Sequence, residues 1–445
     1  MKQILVFTLM LFTTGLLNAQ TKLSLDEAIT IALHKNTNLI KAKNNLEGNK
    51  SSVKSAYGNL LPSLGIQGGF NWNRQDVNGT KTDFDGNLVD AVFKNESRGY
   101  SAGLGGNWTI FNGLANIADI NQSNEELEAA KFKFSKLKQD IVLLTSQYYY
   151  QVLNSRKLLE VRQENVKYNQ KFLETIQERN ALGSVPLADV YAQQVQLGNA
   201  ELLAIQAENE HENAKSTLLN YLSLDVLEDY DFTDPFEGAD VNTSQFLSEF
   251  KDIKTMVDDA LENRHDYKAQ ELTVESAYSG VTIAQSGLYP SLSGSYSFGY
   301  SGIAPDRLSD AKSMSAGLSL SFPIFSNWNT DLQIQYAKIS AKNAEEDLSA
   351  LEREIKIQIK QGYLNLVAGK KQLDVATKNV TSASENRRIN YERYNLGSGT
   401  ILDVLQADRD YTESLRSKIN AEYEFYRLKD TLLNYLGQLE YAKYE

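Results

Sequence analysis

Cysteine is absent from all 445 residues. This excludes a disulfide framework, thiolate chemistry and an amino-terminal cysteine able to carry a lipid. Histidine is scarce: His34, His211 and His265 are scattered, show no metal-ligand spacing and read as solvated helix residues. No phosphate-binding loop is present, because Gly369-Lys370 lacks the required upstream glycine, and Gly103, Gly105 and Gly106 fall inside an expected strand. No serine nucleophile elbow occurs either. With no nucleophile, paired base or metal cage, the expectation is no enzyme, no cofactor and no metal site. Basic residues are also in deficit: 45 Lys and Arg face 57 Asp and Glu, a formal charge of −12. That balance argues against nucleic acid as a partner, since phosphate binding needs concentrated Lys and Arg. It suits either simple solubility or a cation-attracting lumen. Long apolar runs are missing too. Nothing beyond the first residues approaches the roughly 20 apolar positions of a spanning helix, so any membrane crossing falls to strands.

The amino terminus reads as a secretory signal: Lys2, an apolar run from Ile4 to Leu17, then Leu17-Asn18-Ala19 before Gln20. Beyond it, four stretches alternate apolar with small or polar residues at period two. The first sets Leu64, Ile66, Phe70 and Trp72 against Ser63, Gly65, Gln67, Gly69, Asn71 and Asn73. The second sets Tyr100, Ala102, Leu104, Trp108 and Ile110 against Ser101, Gly103, Gly105, Asn107 and Thr109. In the third, Leu292, Tyr296, Phe298 and Tyr300 oppose serines, and in the fourth so do Met314, Ala316, Leu318, Leu320, Phe322 and Ile324. Soluble sheets usually show Lys, Glu, Arg or Thr to water. Faces of Ser, Gly and Asn opposite apolar faces with aromatics toward their ends are those of outer-membrane strands, so the apolar residues are expected to face lipid. Twelve residues at about 3.3 Å rise and about 45° tilt span roughly 28 Å, close to an apolar band of about 25 Å.

The chain is also duplicated. Thr217–Leu222 recurs letter for letter as Thr431–Leu436, a displacement of 214 residues (431 less 217). The same displacement carries Glu178-Arg179 onto Glu392-Arg393, Leu182-Gly183-Ser184 onto Leu396-Gly397-Ser398, and Asp189-Val190 onto Asp403-Val404. Upstream, Pro62-Ser63-Leu64 maps onto Pro290-Ser291-Leu292 at 228, so the first half holds 14 extra residues (228 less 214), placed in a loop from Gln75 to Ser97.

Each half follows one plan. After a signal peptide over 1–19, the first repeat covers 20–222, with strands about 62–74 and 98–111. An acidic inter-repeat segment fills 223–254, and the second repeat covers 255–445, with strands about 290–303 and 312–325. Ser24-Leu25-Asp26-Glu27 has the form of a capping box, opening a helix to about Gly58, with a counterpart from about Thr255 to Ser286. Pro62 and Pro290, two of only six prolines, end these helices and open the strands. From about Leu114 to Arg179 and Thr330 to Arg393 the pattern is helical with a heptad seam through Val152, Leu159, Val166 and Leu173, and again through Leu366, Leu373 and Val380. Such helices, about 100 Å long by rise per residue, reverse at the Leu-Gly-Ser turns and return as antiparallel hairpins.

Four strands cannot close a membrane barrel, and single-chain barrels of this kind use eight or more. Two copies would give eight, a barrel filled by its own side chains; three give twelve, large enough for a channel. The expected fold class is therefore mainly α with a transmembrane β part: long antiparallel helical hairpins forming an α-barrel, plus four strands per chain completing a 12-stranded trimeric barrel.

Leu25-Asp26-Glu27-Ala28-Ile29, the Leu61-Pro62-Ser63-Leu64 helix-to-strand switch, two strands per half and the turns Leu182-Gly183-Ser184 and Asn395-Leu396-Gly397-Ser398, each followed by Asp-Val, occur in order and twice over. In these features the chain resembles the TolC family of outer-membrane efflux proteins over essentially its whole mature length. The resemblance implies a homotrimer in the outer membrane with a large periplasmic tunnel. It also implies docking to a periplasmic adaptor protein and an inner-membrane transporter, of an efflux pump or a type I secretion system. It places Tyr394, Asp189 and Asp403 at the pore entrance, Asp403 as a carboxylate ring, and adaptor docking at Leu182, Gly183, Ser184, Leu396, Gly397 and Ser398. Three gate positions depart from the family pattern: Gly399 stands for an arginine, Ala188 for a threonine and Gln406 for the second ring carboxylate. The competing readings are an outer-membrane stalk or adhesin without transport, and a soluble coiled-coil scaffold, which leaves the strands unexplained.

Overall fold

A computed structural model describes residues 21–236 and 252–444. The expected signal over 1–19 and the middle of the inter-repeat segment lie outside the described residues. The described residues divide into two compact units, one drawn from 21–40, 137–236, 252–263 and 355–444, the other from 41–136 and 264–354.

The second unit is built on a four-stranded antiparallel sheet of Gly65–Thr82 (β2), Leu88–Asn112 (β3), Ser291–Gly302 (β5) and Ala311–Ser321 (β6), side by side in that order. Cross-strand register explains the alternation. Ile66, Leu104, Phe298 and Met314 form one row across the sheet, and the adjacent row is Gly65, Gly105, Ser297 and Ser315. One face is thus apolar and the other small and polar. Tyr296 lies across Gly106, where a Cβ would overlap its ring and the Ser63 carbonyl, so only glycine fits. The loop expected over Gln75–Ser97 is instead strand: β2 and β3 stay paired from Gly65↔Gly105 to Thr82↔Leu88, joined by a turn at Asp83–Asn87. Alternation persists there with different chemistry on each face, which an apolar-versus-serine pattern did not detect.

The helices leading into the strands are each interrupted once. Helix α1 (Leu25–Lys35) opens with the expected capping box: Glu27 N–H donates to Ser24 Oγ at 3.3 Å, and Ser24 N–H to Glu27 Oε2 at 2.8 Å. It stops at Asn36, whose Oδ1 accepts from Asn38 N–H at 2.9 Å and starts α2 (Thr37–Gly58). In the second half α5 (Ile253–Asn263) gives way to α6 (His265–Gln285) at Arg264, which is clamped to Asp266 at 2.6 Å. Asn36 and Arg264 are 228 residues apart (264 less 36), so the break belongs to the repeat.

Helices α3 (Ala115–Ala181) and α7 (Asn329–Asn395) are each continuous over 67 residues and return as α4 (Leu187–Tyr221) and α8 (Ile401–Tyr435). Each strand-to-helix corner passes through two consecutive left-handed residues, Gly113 and Leu114 in one half, Asn327 and Trp328 in the other. Of the heptad positions, Val152, Leu366 and Leu373 are buried, while Leu159, Val166 and Val380 are half-buried.

In the first unit, β1 (Thr21–Leu23) pairs in parallel with β4 (Tyr230–Phe232). The buried Tyr149 hydroxyl lies 2.7 Å from the Leu23 carbonyl and 2.6 Å from that of Thr233, tying both segments to α3. Tyr444 donates to Asp26 at 2.9 Å, bringing the chain's last described residues to the same place. Histidine departs from expectation in two cases. His34 is exposed, but His211 is half-buried against Ser155, and His265 packs on the Phe132 ring at 5.9 Å.

Candidate functional site

Both hairpin turns are Schellman motifs. Gly183 (φ 70°) and Gly397 (φ 75°) take the left-handed conformation that glycine permits. Ser184 N–H bonds the Arg179 carbonyl at 2.8 Å, and Ser398 N–H bonds that of Arg393 at 2.9 Å. Leu182 and Leu396, just before these glycines, are 81% and 83% exposed, so each turn holds a large apolar side chain in water.

Behind the turns the two hairpins share a core of Phe172, Ile176, Val190, Tyr394, Ile401, Val404 and Leu405. Tyr394 is buried in it and donates its hydroxyl to Asp189 at 2.9 Å, linking one hairpin to the other. Burial, then the Asp189 carboxylate, push the Tyr394 hydroxyl well above its ordinary pKa, so it stays a donor. Arg179 lies over the Tyr394 ring at 5.4 Å and donates to Asn395 Oδ1 at 3.0 Å. A Cβ at Gly399 would stand 3.1 Å from the Arg393 Cβ, a tight fit. The arginine beside Tyr394 comes instead from α3. Its signal was the repeated Glu178-Arg179, used above only to set the register.

Asp403 is exposed, and its Oδ2 closes a capping box, accepting from Thr400 N–H at 3.0 Å and Thr400 Oγ at 2.9 Å. Those bonds, the backbone one first, hold its carboxyl below the usual range. Gln406 is engaged by its neighbours, donating to Asp410 at 2.7 Å and accepting from Arg409 at 2.8 Å.

One layer further from the turns is a polar cluster that sequence reading missed. Asp408, 1% exposed, ion-pairs with Arg387 at 2.8 Å and accepts from Asn165 at 2.9 Å and Asn169 at 3.2 Å. Arg387 stacks on Tyr168 at 3.6 Å, and Gln193 donates to Asn169 at 2.9 Å. All four helices contribute: α3, α4, α7 and α8.

In the sheet, Leu64, Ile66, Phe70, Trp72, Leu104, Trp108, Leu318 and Leu320 lie exposed on the apolar side, with Tyr296 and Phe298 half-buried on it. This leaves a continuous, uncovered apolar face on antiparallel strands. Among the described residues no helix is long and apolar enough to cross a membrane, and no group of three or more His, Asp or Glu is placed to hold a metal.

The family model for outer membrane efflux proteins matches residues 28–223 and 256–438, one block per repeat. The chain belongs to the outer membrane efflux protein family. It is 22% identical over 388 residues to outer membrane protein TolC of Vibrio cholerae, covering 84% of this chain and 81% of that one. The CmeC outer membrane channel of Campylobacter jejuni superposes with a TM-score of 0.77 at 17% identity, over 94% of this chain and 88% of that one. The open state of the Neisseria gonorrhoeae MtrE outer membrane channel gives 0.74 at 19%, over 94% and 89%. As an efflux protein of this family the chain is a bacterial outer-membrane protein with a large periplasmic helical part, and the mainly helical fold with a β part, long helical hairpins and four strands in one sheet, stands as read from the alternation and the duplication. The family pattern supplied Tyr394, Asp189 and Asp403. Arg179 carried a signal in the repeated Glu178-Arg179, whereas Arg387 and Asp408 become visible only when the hairpins are packed together.

Proposed function

We propose that three copies of this chain form the exit duct of a tripartite efflux pump or type I secretion system, receiving cargo from a periplasmic adaptor and an inner-membrane transporter. The observation that carries this reading is the sheet: four strands, an apolar face, a small polar face, and β2 and β6 as its two edges. Edges inside a membrane must be paired, and three copies supply twelve strands around a polar lumen. A second feature fits the same reading. Helix α4 leaves Tyr191, Val195, Leu202 and Ile205 exposed along one stripe, as a contact with another copy requires. Electrophoresis of the detergent-extracted protein with and without heating tests assembly, and adaptor cross-linking in the periplasm tests topology. An adhesin or stalk would give a trimer whose helices are labelled from outside the cell, and that result would remove the duct.

Adaptor docking is assigned to the two turns, on the strength of the exposed Leu182 and Leu396 and the Schellman geometry they share. Gly183→Leu or Gly397→Leu has open space for the side chain but a positive φ, costing roughly 1–2 kcal/mol. Trimers are expected to form while cross-linking to the adaptor and export both fall. Unchanged cross-linking and export would place docking elsewhere.

A further inference from the structure

Strands β2 and β3 run on past the sheet that holds them. From Asn73↔Ser97 to Thr82↔Leu88 they pair only with each other, because β3 meets β5 from Tyr100 to Asn112 and no further. The second half has only the short connection Ile303–Asp310 at this point. The ribbon leaves the end of the sheet opposite to the helices, so in the duct reading it projects outward from the cell.

Because the register is unbroken, both faces can be followed into the ribbon. On the lipid side the apolar series ends at Trp72, whose indole N–H donates to Glu96 at 2.7 Å. Charged and polar residues then predominate: Arg74 pairs with Asp76 at 3.0 Å and Arg98 with Glu96 at 3.2 Å, followed by Lys94, Asn78, Thr80 and Asp90, with Val92 and Leu88 as the apolar members of this face. On the lumen side the change is opposite. Gln67, Gly69, Asn71, Asn73 and Gln75 give way to Val77 and Gly79, paired with Phe93 and Ala91, and then to Lys81 paired with Val89. The Phe93 ring lies over Gly79, where a Cβ would sit 3.1 Å from it, and Val77, Val89 and Phe93 remain 46%, 36% and 51% exposed. Past the membrane rim the outer face thus becomes mainly charged and polar, while the inner face gains an apolar patch at Val77, Ala91 and Phe93. A ribbon bathed in water on both sides has no use for an apolar inner face.

We propose that the inner faces of three ribbons, one from each copy, meet on the threefold axis and cover the outer mouth of the channel. This rests on the trimeric duct reading. The occupant is a second copy because β2, 18 residues long, is an edge that only another copy's β6, 11 residues long, can pair in the membrane. The ribbon continues that seam, so the neighbouring ribbon is the nearest surface. The reach suffices: ten residue pairs span about 33 Å, whereas twelve strands about 4.8 Å apart and tilted about 40° enclose a radius of about 12 Å. Outgoing cargo must then part an apolar contact, and large solutes outside meet it closed.

The cysteine-free chain makes the test direct. Phe93→Cys, oxidised in intact outer membranes, is expected to convert two of the three copies in each trimer to disulfide dimer, with matching loss of the monomer band. Val92→Cys, on the outward face, is expected to give none. Ala91→Cys serves if Phe93→Cys does not assemble. In a second measurement Gln67→Cys, on the lumen face below the ribbon, is labelled from outside with a polyethylene-glycol maleimide. Adding Val77→Asp and Phe93→Asp is expected to speed that labelling several-fold while a small maleimide labels at an unchanged rate. Intact trimers with no disulfide at 91 or 93 and no change in labelling would overturn the proposal. Failure of the unsubstituted chain to form a trimer would remove the duct reading, and the ribbon contact with it.

Discussion

Asp408 is among the most deeply buried charged side chains of the hairpins, and its carboxylate is balanced by Arg387, itself mostly covered, and by two asparagine amides. Removing one partner leaves the other charge desolvated. Asp408→Ala is expected to cost about 3–5 kcal/mol, and Asp408→Leu combined with Arg387→Met to recover most of it, read from thermal unfolding of the extracted protein. No period or motif announces this pair, because Arg387 and Asp408 fall at unremarkable helix positions and become neighbours only when two hairpins pack. Asp403 illustrates the reverse. It was legible from the family pattern, yet its carboxylate is spent on a helix cap with Thr400. We assign it a second role in a cation-attracting ring at the entrance, because threefold symmetry would gather three such exposed carboxylates. Asp403→Ala is then expected to weaken block by multivalent cations in planar-bilayer recordings. If only stability falls, the cap is its whole role.

At the scale of elements, alternation located the strands and proline their starts, because both act locally. The strand ends were misplaced where chemistry on the two faces exchanged, between Gln75 and Ser97. The helix interruptions at Asn36 and Arg264 were also missed. Neither is a proline or a glycine: Asn36 caps the next helix, its Oδ1 accepting from Asn38 N–H at 2.9 Å, whereas Arg264 makes no side-chain cap and ion-pairs with Asp266 at 2.6 Å. The strand faces carry their own prediction. Ile66→Arg or Leu318→Arg, near the middle of the apolar band, is expected to cost about 2–4 kcal/mol and lower the yield of trimer in the outer membrane. Gln67→Arg, one residue along on the small polar face, is expected to assemble normally. Equal yields would remove the lipid-face assignment.

For the whole molecule, duplication was the most informative property of the sequence, since it fixed two equivalent hairpins and two equivalent strand pairs at once. The halves nevertheless diverge where they do different work: the first carries the ribbon and the second the Thr400–Asp403 cap, while α4 begins at Pro186 with no side-chain cap. The junction of the termini has a consequence for the order of folding. Thr21 pairs with Tyr230, and Asp26 accepts from Tyr444, separations of 209 and 418 residues (230 less 21, 444 less 26). Contacts so distant in sequence form late. An exported chain emerging amino terminus first can pair its first strand once Tyr230 has arrived, at about mid-chain, but gains the Asp26–Tyr444 clasp only when nearly every later residue is present, and a chain cut short lacks that last clasp. The junction thus acts as a final latch: chains ending before Ala442 are expected to lose their amino-terminal strand to limited proteolysis faster than chains that carry Tyr444.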